Sequence, residues 1–125
     1  ELYVKRFNAY DAYLAGRADI RYDFKRNRAV FLVKDGNKVV DATGRSLNGR
    51  TPKWYRYGNS NSPFVCGGTS NIACVVEDAC SACSISNSIE GLGLMGTTLL
   101  NEHIDVIKNY KKVFSFCHQY LDMMG

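Results

Sequence analysis

The run Ile72-Ala73-Cys74-Val75-Val76, closed by Glu77-Asp78, constrains this chain more than any other segment. It is apolar at consecutive positions, so a strand built from it must be covered on both faces. That is the condition of a buried parallel strand. The segments after it fit the same architecture. Residues 79–86 read as a short helix of small residues, and 92–95 as a second apolar strand. Residues 99–108 form a periodic helix with Leu100, Ile104 and Ile107 on one face and His103 on a polar one. Residues 113–117 read as a third strand. Strand–helix–strand–helix–strand predicts a small parallel α/β sheet.

The front of the chain has a different texture. Residues 10–18 fit a short helix or a loop, with Tyr3, Phe7, Tyr10 and Tyr13 at helical spacing and set for packing. Residues 28–33 and 38–42 flank Lys34-Asp35-Gly36-Asn37 and predict a β-hairpin. Residues 43–61 are rich in Gly, Asn, Ser and Arg and should be irregular or weakly stranded, and exposed. The expected class is therefore mixed, α+β with an α/β part. A basic β-rich unit at 1–64 packs on the small parallel sheet at 65–125. At 125 residues the two share one compact body.

Charge divides along the same line. Residues 1–60 hold 13 Lys and Arg against 6 Asp and Glu, and residues 61–125 hold 3 against 6. A basic front half favours a polyanionic partner such as nucleic acid, and the alternative is a solvated basic surface. The segment from Gly44 to Tyr57 sharpens the first reading. Arg45, Arg50, Lys53 and Arg56 alternate there with Trp54, Tyr55 and Tyr57. Cations neutralise phosphates and planar rings stack on unpaired bases, which is the composition of a single-strand-binding surface. The competing reading has the three rings anchoring a long loop to the core.

Other motifs are weaker. Of the 5 cysteines, Cys80 and Cys83 form a C-x-x-C, and a zinc site would draw on them with Cys66 and Cys74. Yet Cys74 lies in the apolar run and Cys80 and Cys83 in the predicted helix, which favours core packing of reduced thiols. Gly91, Gly93 and Gly96 have G-x-G-x-x-G spacing but fall within a strand. Cys117 and His118 are neighbours on a strand and point to opposite faces. Glu77 and Asp78 stand at the carboxyl end of the first parallel strand, where such sheets bind ligands. Asp78 reads as a helix cap. Glu77 suits either a cap region or metal and base chemistry. The opening residues lack the plan of a secretory leader, and no apolar run approaches the ~20 residues that span a bilayer. A cytoplasmic protein without a membrane partner is expected.

Several segments, in order, resemble a known family. Arg28-Ala29-Val30-Phe31-Leu32-Val33, Asp41-Ala42-Thr43-Gly44-Arg45 and Pro52-Lys53-Trp54-Tyr55 resemble the front part of the catalytic core of bacterial and phage DnaG-type primases. Val75-Val76-Glu77-Asp78-Ala79-Cys80-Ser81-Ala82 resembles the first motif of a Toprim domain, and Leu94-Met95-Gly96-Thr97-Thr98-Leu99 the segment that follows it. With Glu-Asp in place of the commoner Glu-Gly, the compact form most resembles a bacteriophage version. It reads as a shortened core, ending before the rest of a primase core and with no zinc-ribbon module before residue 1.

The resemblance implies a Mg²⁺ site with Glu77 as its first carboxylate and an Asp-x-Asp closing a later strand. Cys117 and Gln119 occupy those two positions, Asp122 lies five residues late, and Met124 stands where a second Asp would. Mg²⁺ takes hard oxygen ligands and a thiol is soft, so two-metal catalysis should be weakened or lost. The family's template-side cations map to Arg45 and Lys53. Cys66 replaces a basic residue expected near Pro63-Phe64-Val65-Cys66-Gly67.

Three functions follow as expectations. The first is a non-catalytic, single-stranded-DNA-binding accessory protein of phage replication or transcription, with no cofactor. The second is a minimal primase or Toprim nuclease using Mg²⁺ on Glu77 with Asp78 or Asp122. The third is an adaptor for a phage or host polymerase, in the host cytoplasm.

Overall fold

The computed structural model describes residues 9–67, 70–96 and 98–115. Helix α1 (Ala9–Leu14) leads into strand β1 (Ile20–Asp23). β2 (Arg28–Asp35), β3 (Lys38–Ser46) and β4 (Trp54–Arg56) follow. These four strands form an antiparallel sheet in the order β1-β2-β3-β4. The β2–β3 hairpin turns at the predicted Gly36-Asn37. Its register slips between Val33 and Lys34, where Val40 is the extra residue of a bulge. Ala29, Phe31 and Val33 alternate along β2 into the core.

The second sheet contains β5 (Phe64–Cys66), β6 (Ile72–Val76), β7 (Glu90–Gly93) and β8 (Lys112–Ser115), in the order β5-β7-β6-β8. β6 runs parallel to both β7 and β8, as the sequence predicts, and β5 pairs antiparallel on β7. Helices α2 (Ala79–Ile85) and α3 (Asn101–Ile107) make the two crossovers. They cover opposite faces. Cys74 and Val76 of β6 pack with α2 and with Phe31 and Val33 of the first sheet. Ala73 and Val75 pack with Leu92, Leu94, Val106, Ile107 and Val113 on the α3 side. This two-sided burial is why β6 is apolar at every position. The main core spans both sheets and α1, through Ala9 and Ala12.

Several expectations need correcting. β7 begins at Glu90 and stops at Gly93, not over 92–95, because Met95 takes φ +60 and leaves the strand. β3 extends to Ser46, with Thr43 and Ser46 buried, where an exposed segment, irregular or weakly stranded, was predicted. Two short strands, β1 and β5, had no sequence signal. In α3 the inward face is not Ile104, which is 44% exposed, but His103, which is 2% exposed. His103 Nδ1 accepts the Leu100 N–H at 3.0 Å, closing the helix start with a side chain that the sequence assigned to the polar face. Burial holds its imidazole below the ordinary 6.5. Tyr3, Phe7, Thr97, residues 116–117 of the predicted third strand, and His118 lie outside the described residues. No helix among the described residues is long and apolar enough to cross a membrane.

Candidate nucleic-acid interface

β4 is only three residues long, and its register decides what the site is made of. Arg56 sits opposite Thr43, Tyr55 opposite Gly44, and Trp54 opposite Arg45. Successive side chains on a strand point to opposite faces. Trp54 and Arg56 therefore share the inward face with Thr43 and Arg45, and Tyr55 takes the outer one.

On the inward face, Trp54 packs on Phe31, with ring centroids 5.7 Å apart. Beyond it opens a cleft of about 310 Å³. Thr43, Lys53, Trp54 and Arg56 form one wall, and Glu77, Asp78, Met95 and Gly96 the other. The second wall is the carboxyl end of β6 and the turn after β7, the position where parallel sheets bind ligands. Two backbone hydrogen bonds fix that turn. Leu94 N–H donates to Val76 O at 2.9 Å and Met95 N–H to Glu77 O at 2.6 Å, with Met95 held in the left-handed region.

Asp78 is the cap the sequence predicts. Its Oδ1 accepts the Ser81 N–H at 2.8 Å at the start of α2. The Glu77 side chain enters the cleft, with Oε1 sequestered from solvent. Among the described residues no group of three or more His, Cys, Asp or Glu side chains could hold a metal ion. One of the cleft's two carboxylates is already committed to the helix cap. Cys117, Gln119, Asp122 and Met124 lie outside the described residues. Cys66, Cys74, Cys80 and Cys83 are all buried in the main core. There the Cys83 thiol donates to Cys66, which holds Cys66 below and Cys83 above the ordinary thiol range.

The seven predicted interface residues do not lie on one exposed loop. Lys53, Trp54 and Arg56 line the cleft. Arg45, Arg50 and Lys53 border a second depression of about 350 Å³ beside it, so Lys53 joins the two. Arg56 is tied down. Its Nε donates to Asp41 Oδ2 at 2.8 Å, its Nη2 donates to Ser60 O, and the Asp41 carboxylate is wholly buried. Tyr55 and Tyr57 lie on the opposite face, edge to face with centroids 4.9 Å apart. Tyr57 crosses Gly44, where a Cβ would come within 2.8 Å of its ring, and donates its hydroxyl to Asp23 Oδ2 at 2.6 Å. Burial and that carboxylate push the Tyr57 hydroxyl up to about 12.

Sequence reasoning missed Arg26 and Arg28, which belong to this outer face. The Arg26 guanidinium stands 4.9 Å from the Tyr55 centroid and 5.6 Å from that of Tyr57. Arg28 is buried, 5.5 Å from Tyr55, and its Nη1 donates to Gly44 O at 3.0 Å. The available signal was the alternation of β2, which places Arg28 and Val30 opposite to Phe31.

No family model and no curated protein matches this chain. Solved structures do share its fold. A DnaG primase catalytic domain bound to single-stranded DNA superposes with a TM-score of 0.55 at 20% identity, over 90% of this chain and 43% of that one. A DnaG catalytic core gives 0.57 at 19% identity, over 90% and 44%. The chain thus spans less than half the length of either. At these identities the likeness is one of fold, and the fold is primase-core-like, in line with the resemblance read from the sequence.

Proposed function

We propose that this protein is a single-stranded-DNA-binding accessory factor of phage replication or transcription, derived from a primase/Toprim core and without catalysis of its own. The observation that carries this reading is the cleft: Lys53, Arg56 and Trp54 face the carboxyl end of β6, and Arg45 and Arg50 continue the cations beyond it. One structural neighbour is itself bound to single-stranded DNA. Arg45 and Lys53 take the phosphate contacts and Trp54 the base contact, while Arg56 shapes the wall. A polymerase of the phage or its host is the partner that such held template would serve.

The test is binding to single- and double-stranded DNA across a salt series, with and without Mg²⁺. Single strands should bind more tightly, because only unpaired bases expose a ring face. Arg45→Ala with Lys53→Ala should lower the salt slope by about two ions' worth. An unchanged affinity and slope would turn the reading towards a protein–protein adaptor.

A second reading has one observation in its favour. Glu77 enters the cleft opposite Lys53 and Arg56, where a metal-dependent primase or Toprim nuclease would keep its carboxylate. Glu77→Ala should leave DNA binding intact, and titration calorimetry should find no Mg²⁺ site tighter than about millimolar. Primer synthesis or nicking that Glu77→Ala abolishes would establish the enzyme instead.

A further inference from the structure

We propose that the tip of the β1–β2 hairpin is a further contact for single-stranded DNA, with Phe24 as its stacking ring, so that the bound strand runs from the cleft around the end of the first sheet. This rests on the DNA-binding reading above and adds a surface which that reading does not use.

Phe24 is 86% exposed, so its ring contributes almost nothing to the core. It is nonetheless held in place. It meets the Tyr22 ring edge to face, at a centroid distance of 4.9 Å and an interplanar angle of 71°. Tyr22, itself half-exposed, donates its hydroxyl to Asn27 Oδ1 at 2.8 Å. The turn between them is fixed by Asp23 Oδ1, which accepts the Lys25 and Arg26 N–H groups at 3.0 and 3.1 Å. An aromatic ring is thus presented to solvent on a short, ordered turn. Such preorganisation lowers the entropy cost of binding.

The charge around the ring selects the occupant. Beside Phe24, Lys25 and Arg26 stand against a single carboxylate, Asp23, which the Arg26 guanidinium meets at 3.5 Å, while Arg21 is paired with Asp19 at 2.8 Å and Arg28 is buried in the sheet. That carboxylate is engaged by the Tyr57 hydroxyl and the turn amides. An exposed ring among cations suits a polyanion that also offers flat apolar faces, which is single-stranded nucleic acid. An apolar protein pocket would use the ring and have to tolerate the cations.

The tip is also continuous with the cleft. Asn27 O accepts the Leu47 N–H at 3.1 Å, and Lys53 O accepts the Ser46 N–H at 3.0 Å. Arg28 Nη1 reaches the same Lys53 carbonyl at 3.4 Å. The hairpin tip and Lys53 therefore stand at one end of the sheet, three strand spacings apart, or roughly 14 Å. About four stacked nucleotides cover that distance at ~3.4 Å each.

The experiment measures affinity for oligothymidylates from about four to about sixteen nucleotides long, the span of one such surface. The parent should gain affinity as the strand becomes long enough to reach the tip. Phe24→Ala should lose about tenfold on long strands and little on short ones, with an unchanged salt slope and thermal midpoint. Phe24→Trp should restore the long-strand affinity. Lys25→Ala should lower the salt slope on long strands by about one ion's worth. Parent-like binding by Phe24→Ala at every length overturns this inference and leaves the DNA-binding reading standing. Failure of the parent to bind at any length overturns both. A Phe24→Ala effect seen instead in sedimentation mass, with DNA affinity unchanged, makes the tip a contact between copies of this chain and overturns the inference too.

Discussion

At the residue scale, the Asp41 carboxylate is wholly buried and collects three donors: Arg56 Nε at 2.8 Å, Gly58 N–H at 2.8 Å and Ala42 N–H at 2.7 Å. Removing the guanidinium leaves a buried charge with two amides only. Arg56→Ala should therefore cost about 2 kcal/mol in urea unfolding, in the range of a charged hydrogen bond in a partly buried site. A loss of DNA binding in that variant has to be read against this loss of fold. His103 carries a pH dependence of defined sign. Burial lowers its pKa, the neighbouring Glu102 opposes that shift, and Arg56 adds to it. The folded state thus favours the neutral ring. Its contribution is complete above pH 6.5, the ordinary value, and is lost as pH falls from there towards the depressed folded value. Stability measured between neutral and mildly acidic pH should decline, and His103→Asn, whose amide oxygen can accept the Leu100 N–H, should flatten that slope. Equal slopes in parent and variant would remove His103 as the cause.

Elements owe their positions to close approaches as much as to apolar pattern. A Cβ on Gly91 would lie 2.2 Å from Ala82 O, and one on Gly93 3.1 Å from Asp78 O. These glycines, whose spacing imitates a dinucleotide motif, let α2 lie against β7. Gly91→Ala should cost about 3 kcal/mol, at the upper end for overpacking, because the obstacle is helix backbone. Gly96→Ala, with nothing within 4 Å, should be nearly neutral. Chemical denaturation of the pair separates a packing role from a phosphate-binding one. The start of α2 depends on Asp78. Asp78→Ala should lose about 1 kcal/mol, and Asp78→Ser most of that loss should be spared. An equal loss in both variants would mean that the carboxylate acts through the cleft and not through the Ser81 N–H.

For the molecule as a whole, the main core joins α1, the first sheet, the second sheet and α2. Two units that share their buried surface should unfold together. The sequence contains a single tryptophan, Trp54, which reports on the first sheet. The thiols of Cys66, Cys74, Cys80 and Cys83 report on the second sheet and α2. Tryptophan fluorescence and thiol labelling across a urea series should give one common midpoint. Thiols that label well below the fluorescence transition would show that the second sheet opens separately.

What the sequence determined by itself is what local chemistry can specify. The run Ile72–Val76 is apolar at every position because both of its faces are covered, and Asp78 caps the next helix through an amide three residues away. The β2–β3 hairpin turns on Gly36-Asn37, beside residues with their own strand pattern. The tertiary structure decided the rest. β1 and β5 are too short to show a period and exist through their ladders with β2 and β7. The basic–aromatic segment was legible as a composition, but its division was not. Register on β3 sends Trp54 and Arg56 to the cleft and Tyr55 outward, and Asp41, fifteen residues from Arg56, takes up that cation. His103 became a buried acceptor because packing on the second sheet turned α3, and a seven-residue helix carries too few apolar positions to fix its own orientation.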